Sequence, residues 1–219
     1  MQVALFSGGM DSTAMLAQLA REGDVTALSF IYGSKHNAAE SEAADEIADL
    51  LDVPRHVIVL DFNEWGFKSD LLTSGGDIPE GHYADESMKA TVVPFRNGIM
   101  LSIAVGFAES IGAEAVYIAS HAGDHAIYPD CRPEFTDAIS QAAQLGTYAG
   151  IKIINPFRNT DKTGIVRQAQ ARGDLPIVGD SWSCYQPTEG KHCGRCGTCV
   201  ERKEAFAGAG AKDPTGYAV

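Results

Sequence analysis

Gln2-Val3-Ala4-Leu5-Phe6-Ser7-Gly8-Gly9-Met10-Asp11-Ser12-Thr13 runs from a short apolar stretch, through two glycines, into a segment where Met15, Leu16, Leu19 and Ala20 recur at helical spacing. The reading is a strand over Gln2–Phe6 that turns directly into a helix over Asp11–Glu22. Two glycines let backbone amides approach a ligand closely. The helix start adds unpaired N–H groups and a partial positive charge. Ser7, Ser12 and Thr13 contribute hydroxyl donors. Together they make an anion cradle at the carboxyl end of a strand, where open α/β sheets bind ligands. The run lacks the Gly-Lys-Ser/Thr ending of a Walker loop. An ordinary strand-to-helix turn would explain the glycines alone; the whole string in this setting favours the cradle.

Outward from this stretch, short β-branched runs alternate with helical periodicity, the mark of a parallel α/β sheet. Val25–Ile31 reads as the second strand. Ala39–Leu51 follows as a helix with Ala43, Ala44, Ile47 and Leu51 on one face. Pro54 marks a turn before a third strand, His56–Leu60. Between Asp61 and Val92 the rhythm breaks at Trp65, Gly75-Gly76, Pro79 and Gly81. Such a segment is a lid, a binding loop or a disordered insertion. The rhythm resumes over Asn97–Ile111, then a fourth strand at Ala115–Ala119. Phe135, Ala138, Ile139, Ala142 and Leu145 mark a helix after Pro133. Ile151–Ile154 is the fifth strand, and Asp161–Ala171 a helix with Thr160 as N-cap. A short helix is expected from Val200 to Phe206. The fold class is α/β, a Rossmann-like parallel five-stranded sheet with helices on both faces. The division is a catalytic domain over 1–179 and a small cysteine-rich appendage with its tail over 180–219.

The 219 residues are 45% hydrophobic and 21% charged, enough for one globular core without disulfides. The net charge of −12 opposes binding to phosphate backbones through overall electrostatics, so a nucleic-acid partner is not expected. No stretch approaches the ~20 apolar residues of a membrane span. The apolar start gives way to Ser7-Gly8-Gly9 too early for a secretory signal, so the expected compartment is the cytoplasm.

Cys184, Cys193, Cys196 and Cys199 crowd together, while Cys131 stands alone. Two Cys-x2-Cys steps suit four-thiolate, tetrahedral Zn²⁺. Gly194 and Gly197 let the chain turn between ligands, and Lys191, Arg195 and Arg202 offset the charge. Free or paired thiols and an iron–sulfur cluster are the other readings. Further polar strings follow strands or precede helices, and the fold should gather them on one rim: Tyr32 to His36, Val93 to Asn97, and Ser120 to His125 continuing through Tyr128, Asp130, Cys131 and Arg132. Any one histidine here could be structural, and Cys131 could simply be a small buried residue. Asp161 and Lys162 serve phosphates or cap a helix.

The Ser7–Ser12 string matches the SGGxDS signature of PP-loop ATP pyrophosphatases. With Tyr128-Pro129-Asp130-Cys131-Arg132 and Ser183-Cys184-Tyr185 through Cys199, it resembles the 7-cyano-7-deazaguanine synthase family over about Val3 to Phe206. The resemblance implies ATP cleavage to AMP and pyrophosphate, with Phe6, Ser7, Gly8, Gly9, Met10, Asp11, Ser12 and Thr13 binding the nucleotide. Asp11, which would help position Mg²⁺, joins Lys162 and Arg96 as catalytic candidates. Tyr32, His36, Arg96, Asn97, Asp124, Tyr128, Asp130, Cys131 and Arg132 would bind the small-molecule substrate. That substrate would be 7-carboxy-7-deazaguanine, converted with ammonia to the nitrile through two adenylations in a homodimer. The four cysteines would hold zinc. Ser34, Lys35, Phe95, His125, Ala126 and Ile127 depart from the family pattern and are expected around the substrate pocket. A relative that stops at the 7-amide, or acylates a protein amine, is the alternative product reading. Rival functions are a tRNA-modifying PP-loop protein and a non-catalytic nucleotide-binding regulatory domain.

Overall fold

The computed structural model describes residues 1–80 and 86–219, so Gly81 lies outside the described residues. Five parallel strands form one sheet: β1 (Gln2–Leu5), β2 (Val25–Ile31), β3 (Arg55–Val59), β4 (Ala115–Tyr117) and β5 (Lys152–Ile154). The spatial order is β3-β2-β1-β4-β5. The chain therefore winds outward from β1 to β3, crosses back, and winds out the other way. Loops leaving β1 and β4 diverge at this reversal and open a crevice at the carboxyl ends of the strands.

Both sheet faces are covered, as alternation along β1 requires. Ala4 and Phe6 face a layer built from α1 (Met10–Glu22), α2 (Asn37–Leu50) and α5 (Lys162–Arg172), with Met15, Leu16, Ile47 and Ile165 in its core. Val3 and Leu5 face α3 (Arg96–Ser110) and α4 (Pro133–Gly146), with Leu101, Ala104 and Ala143. Burying each such Leu or Ile contributes about 1.5–3 kcal/mol. A short α6 (Leu175–Gly179) and α7 (Gly197–Ala209) complete the helices. Ala205 and Phe206 of α7 enter the same core as α1 and α5, so the cysteine segment is rooted in the main body.

Two local readings change. The N-cap of α5 is Asp161 rather than Thr160: its Oδ1 accepts the Gly164 amide at 2.7 Å, and a carboxylate is the better partner for a helix start. Helix α7 begins at Gly197, not Val200, because the cysteine turn feeds straight into it with Cys196 as N-cap. The five residues of α6, with Pro176 in the first turn, are too few to show periodicity. The described part of the aperiodic stretch after β3 packs onto the molecule: Phe62, Leu71, Leu72 and Ile78 are buried with Tyr32, Val93 and Met100. Lys35 clamps it through the Asp70 and Gly76 carbonyls. No helix among the described residues is long and apolar enough to cross a membrane.

Candidate active site

The loop after β1 is shaped by Gly8. Its φ is +87°, and a Cβ there would lie 2.4 Å from the Glu40 carbonyl oxygen on α2. Only glycine fits both demands. The Gly8 carbonyl accepts the Trp182 amide at 2.9 Å, which ties the loop to the chain before the cysteines. Within the loop, Ser7 Oγ accepts the Gly9 amide at 3.1 Å, and Ser12 Oγ donates to the Gly9 carbonyl at 3.0 Å. Gly9 is the extended N-cap of α1, so the first α1 amides lack intrahelical partners. Asp11 Oδ1 and Thr13 Oγ1 are buried without a hydrogen-bond partner among the described residues. Amides, hydroxyls and an orphaned carboxylate oxygen at one helix start suit a phosphate group accompanied by a cation.

Lys162, at the start of α5, reaches across to this loop. Its Nζ lies 2.6 Å from Glu201 Oε2 and 3.3 Å from Asp11 Oδ2. Burial works against its charge, but Asp11, Glu201 and Asp124 outweigh that and raise its pKa, so it stays an ammonium. His121, after β4, accepts the Gly123 amide on Nδ1 at 3.0 Å. In the neutral ring the proton is then assigned to Nε2, which faces the carboxylates of Asp11, Asp124 and Glu201 at 3.6–3.8 Å.

The other end of the crevice is aromatic. The Arg96 guanidinium sits 5.6 Å over the Tyr32 ring, and its Nη1 donates to the Tyr32 hydroxyl at 3.2 Å. The His36 ring stacks on Tyr185 with centroids 4.7 Å apart. Burial pushes the Tyr32 and Tyr185 hydroxyls above the usual range, so both remain neutral donors. Asp130 holds Asn97 from behind, accepting its backbone amide at 2.9 Å. Burial, with Asp124 and Asp130, pushes the Cys131 thiol well up, so it is protonated and a poor nucleophile.

These parts line one cavity of about 230 Å³. Phe6, Ser7, Gly9, Met10, Asp11 and Ser12 form one end, and Tyr32, His36, Arg96, Asn97, Tyr128 and Cys131 the other, with Asp124 and Lys162 on the wall. Four candidates stand outside the lining. Gly8 backs onto α2, Thr13 is fully buried, Asp130 supports Asn97, and the exposed Arg132 donates to the His125 carbonyl at 2.9 Å. The departures from the family pattern do not line it either. Lys35 serves the loop clamp, and Phe95 lies outside with its ring against Phe135. Phe95 holds φ +55°, the conformation a glycine adopts without strain. Glu40, Trp182, Ser183 and Tyr185 also line the cavity, and Glu201 pairs with Lys162; none was among the sequence candidates. Tyr185 follows a candidate metal ligand directly and stands in the Ser183-Cys184-Tyr185 string, and those were its signals in the sequence.

Behind Trp182 the four cysteine sulfurs are buried and lie within 4.8 Å of one another. Tetrahedral thiolates at ~2.3 Å from a metal would be roughly 3.8 Å apart, so the cluster fits one ion. The Gln186 and Cys193 amides point at Cys184 Sγ (3.3 and 3.2 Å), and the Cys196 amide at Cys193 Sγ (3.3 Å). Such donors stabilise thiolates. Arg202, fully buried, binds the Gly179 and Ser181 carbonyls at 3.0 Å each and pairs with Asp213.

Compared with known proteins, residues 1–210 match the family model described as queuosine biosynthesis protein QueC. A 7-cyano-7-deazaguanine synthase of Porphyromonas gingivalis is 52% identical over 211 residues, covering 96% of this chain and 94% of that protein. One from Hahella chejuensis is 45% identical over 216 residues, covering 98% and 92%. Among solved structures, a predicted tRNA methyltransferase subunit from Methanocaldococcus jannaschii superposes with TM-score 0.50 at 18% identity, over 78% of this chain and 74% of that one. That likeness is one of fold alone.

Proposed function

This chain belongs to the queuosine biosynthesis protein QueC family, and from that premise we propose that it is an ATP-dependent 7-cyano-7-deazaguanine synthase. It is a ligase acting on a small-molecule substrate, 7-carboxy-7-deazaguanine, with ammonia as nitrogen donor. The observation that carries the reading is the single cavity in which the Ser7–Ser12 cradle meets the Tyr32–Arg96 end.

A carboxylate resists amines because its charge is delocalised and oxide is a poor leaving group. Transfer of AMP onto it solves both problems. The α1 amides, Ser7 and Ser12 hold the phosphates that leave as pyrophosphate. Lys162, kept charged by Asp11 and Glu201, sits where negative charge develops. Mg²⁺ at Asp11 would neutralise part of the charge on the departing pyrophosphate. Arg96 orients the substrate carboxylate, and neutral Tyr32 and Tyr185 offer hydrogen bonds without repelling it. Ammonia then displaces AMP to give the amide. In the second half the amide oxygen takes AMP from another ATP, and loss of the amide protons with AMP leaves the nitrile. The family departures lie off the lining, which supports retention of this second half.

Zn²⁺ at Cys184, Cys193, Cys196 and Cys199 would be a closed structural ion. The working form is read as a cytoplasmic homodimer. The test is incubation with the acid, ammonium and Mg-ATP, followed by mass spectrometry and nucleotide analysis. Nitrile with AMP and pyrophosphate is expected; ADP as the stoichiometric product would overturn the reading.

A further inference from the structure

We infer that Glu40, backed by His36, is the binding site for the ammonium ion that supplies the nitrogen, and takes its first proton. The inference rests on the synthase reading above. Glu40 lies on α2 with its side chain 15% exposed, and it lines the cavity where the two ends meet. At one side it borders the cradle: a Cβ on Gly9 would lie 3.7 Å from its Oε1. At the other, its charge acts on both Tyr32 and Tyr185. The acyl-phosphate bond must form at this junction, and so the incoming nitrogen must arrive there.

The charge pattern fits a cation. Asp11, another lining carboxylate, is paired with Lys162, and Asp124 is bonded to the His121 amide at 2.9 Å. Glu40 has no lysine or arginine partner among the described residues; its contact is His36 Nε2 at 3.3 Å. His36 is 3% exposed, lines the same cavity, and its Nδ1 is buried without a hydrogen-bond partner among the described residues. With the ring proton assigned to Nε2, which faces Glu40, the carboxylate lacks a fixed cation and offers its oxygens to a small donor-only ion in this cavity.

Bound ammonium gives one proton to the Glu40–His36 pair and becomes a nucleophile. The C–N bond forms, the acyl C–O bond to phosphate breaks, and AMP leaves with that electron pair. The second proton shed by nitrogen goes to the phosphate oxygen released as AMP.

The two half-reactions provide the test, because only the first consumes ammonium. Steady-state kinetics would be measured for Glu40→Gln with acid plus ammonium and, separately, with the 7-amide alone. The expected result is a rise of about tenfold or more in the KM for ammonium, the scale of one charge-assisted hydrogen bond. Turnover of the amide should fall far less, which also reports a folded enzyme. Glu40→Asp, which keeps the charge, should recover part of the ammonium affinity and provides the readout if Glu40→Gln does not fold. Equal KM increases for acid and amide, with ammonium unaffected, would place Glu40 on the ring shared by both and overturn the proposal. So would equal losses in both halves, or no loss in either. Absence of amide formation by the unaltered enzyme would instead contradict the synthase reading itself.

Discussion

At the scale of the residue, the sharpest constraint is Gly8. Its positive φ costs a side chain about 1–2 kcal/mol, and the Glu40 carbonyl 2.4 Å from a Cβ adds a clash that only movement of α2 relieves. Gly66 has a similar φ of +78° but open space around its Cβ position. Gly8→Ala should therefore lower stability by more than about 2 kcal/mol and abolish ATP-dependent turnover, whereas Gly66→Ala should cost only about 1 kcal/mol and leave turnover intact. Denaturant melts and rate measurements on the two variants check this; equal effects would contradict the packing argument. Asp11→Asn should lower kcat by about 100-fold or more with the melting temperature little changed, since Asp11 holds Lys162 rather than the core. Unchanged turnover would remove Asp11 from the proposed machinery.

At the scale of the element, α7 connects three tasks. It begins at the cysteine turn, carries Glu201 and Arg202 in its first turns, and ends with Phe206 in the main core. Cys193→Ser should lose about one bound metal per chain by elemental analysis and reduce soluble yield, while Cys131→Ser keeps the metal. A metal-free Cys193→Ser protein as stable as the original would contradict the structural role. The buried Arg202 also links α7 to the tail through Asp213. Burial raises that carboxyl, but Arg202 and bonds from Tyr217 and Thr215 prevail and hold its pKa below 3.8. A depressed carboxylate pKa gives stability that is complete above the unfolded value and is lost as pH falls through the folded one. The melting-temperature advantage over Asp213→Asn should thus be constant above about pH 5 and shrink below pH 4. An advantage growing on acidification would reverse the assignment.

At the scale of the whole molecule, the sheet was legible because both of its faces are buried, which leaves β-branched runs and helical stripes plain in the sequence. Gln2–Phe6 and Asn97–Ile111 are read within a residue or so of their observed ends. The cradle was legible because its chemistry lies in consecutive residues. Glu40 and Glu201 were not, for a physical reason: each sits on a helix whose pattern reports only burial. Their approach to Gly9 and Lys162 depends on how α2 and α7 pack, which spacing along the chain does not encode. The departures at Lys35 and Phe95 misled in the opposite sense. Each neighbours a site residue in sequence, yet Lys35 turns its side chain into the loop clamp and Phe95 lies against Phe135.

In the proposed reaction this one cavity activates first an acid and then an amide. The decisive measurement supplies the purified protein with 7-amido-7-deazaguanine as sole acceptor, Mg-ATP and no ammonium, and follows nitrile and AMP together by mass spectrometry. One AMP released per nitrile formed is expected. An untouched amide, in a preparation that still adenylates the acid, would contradict it.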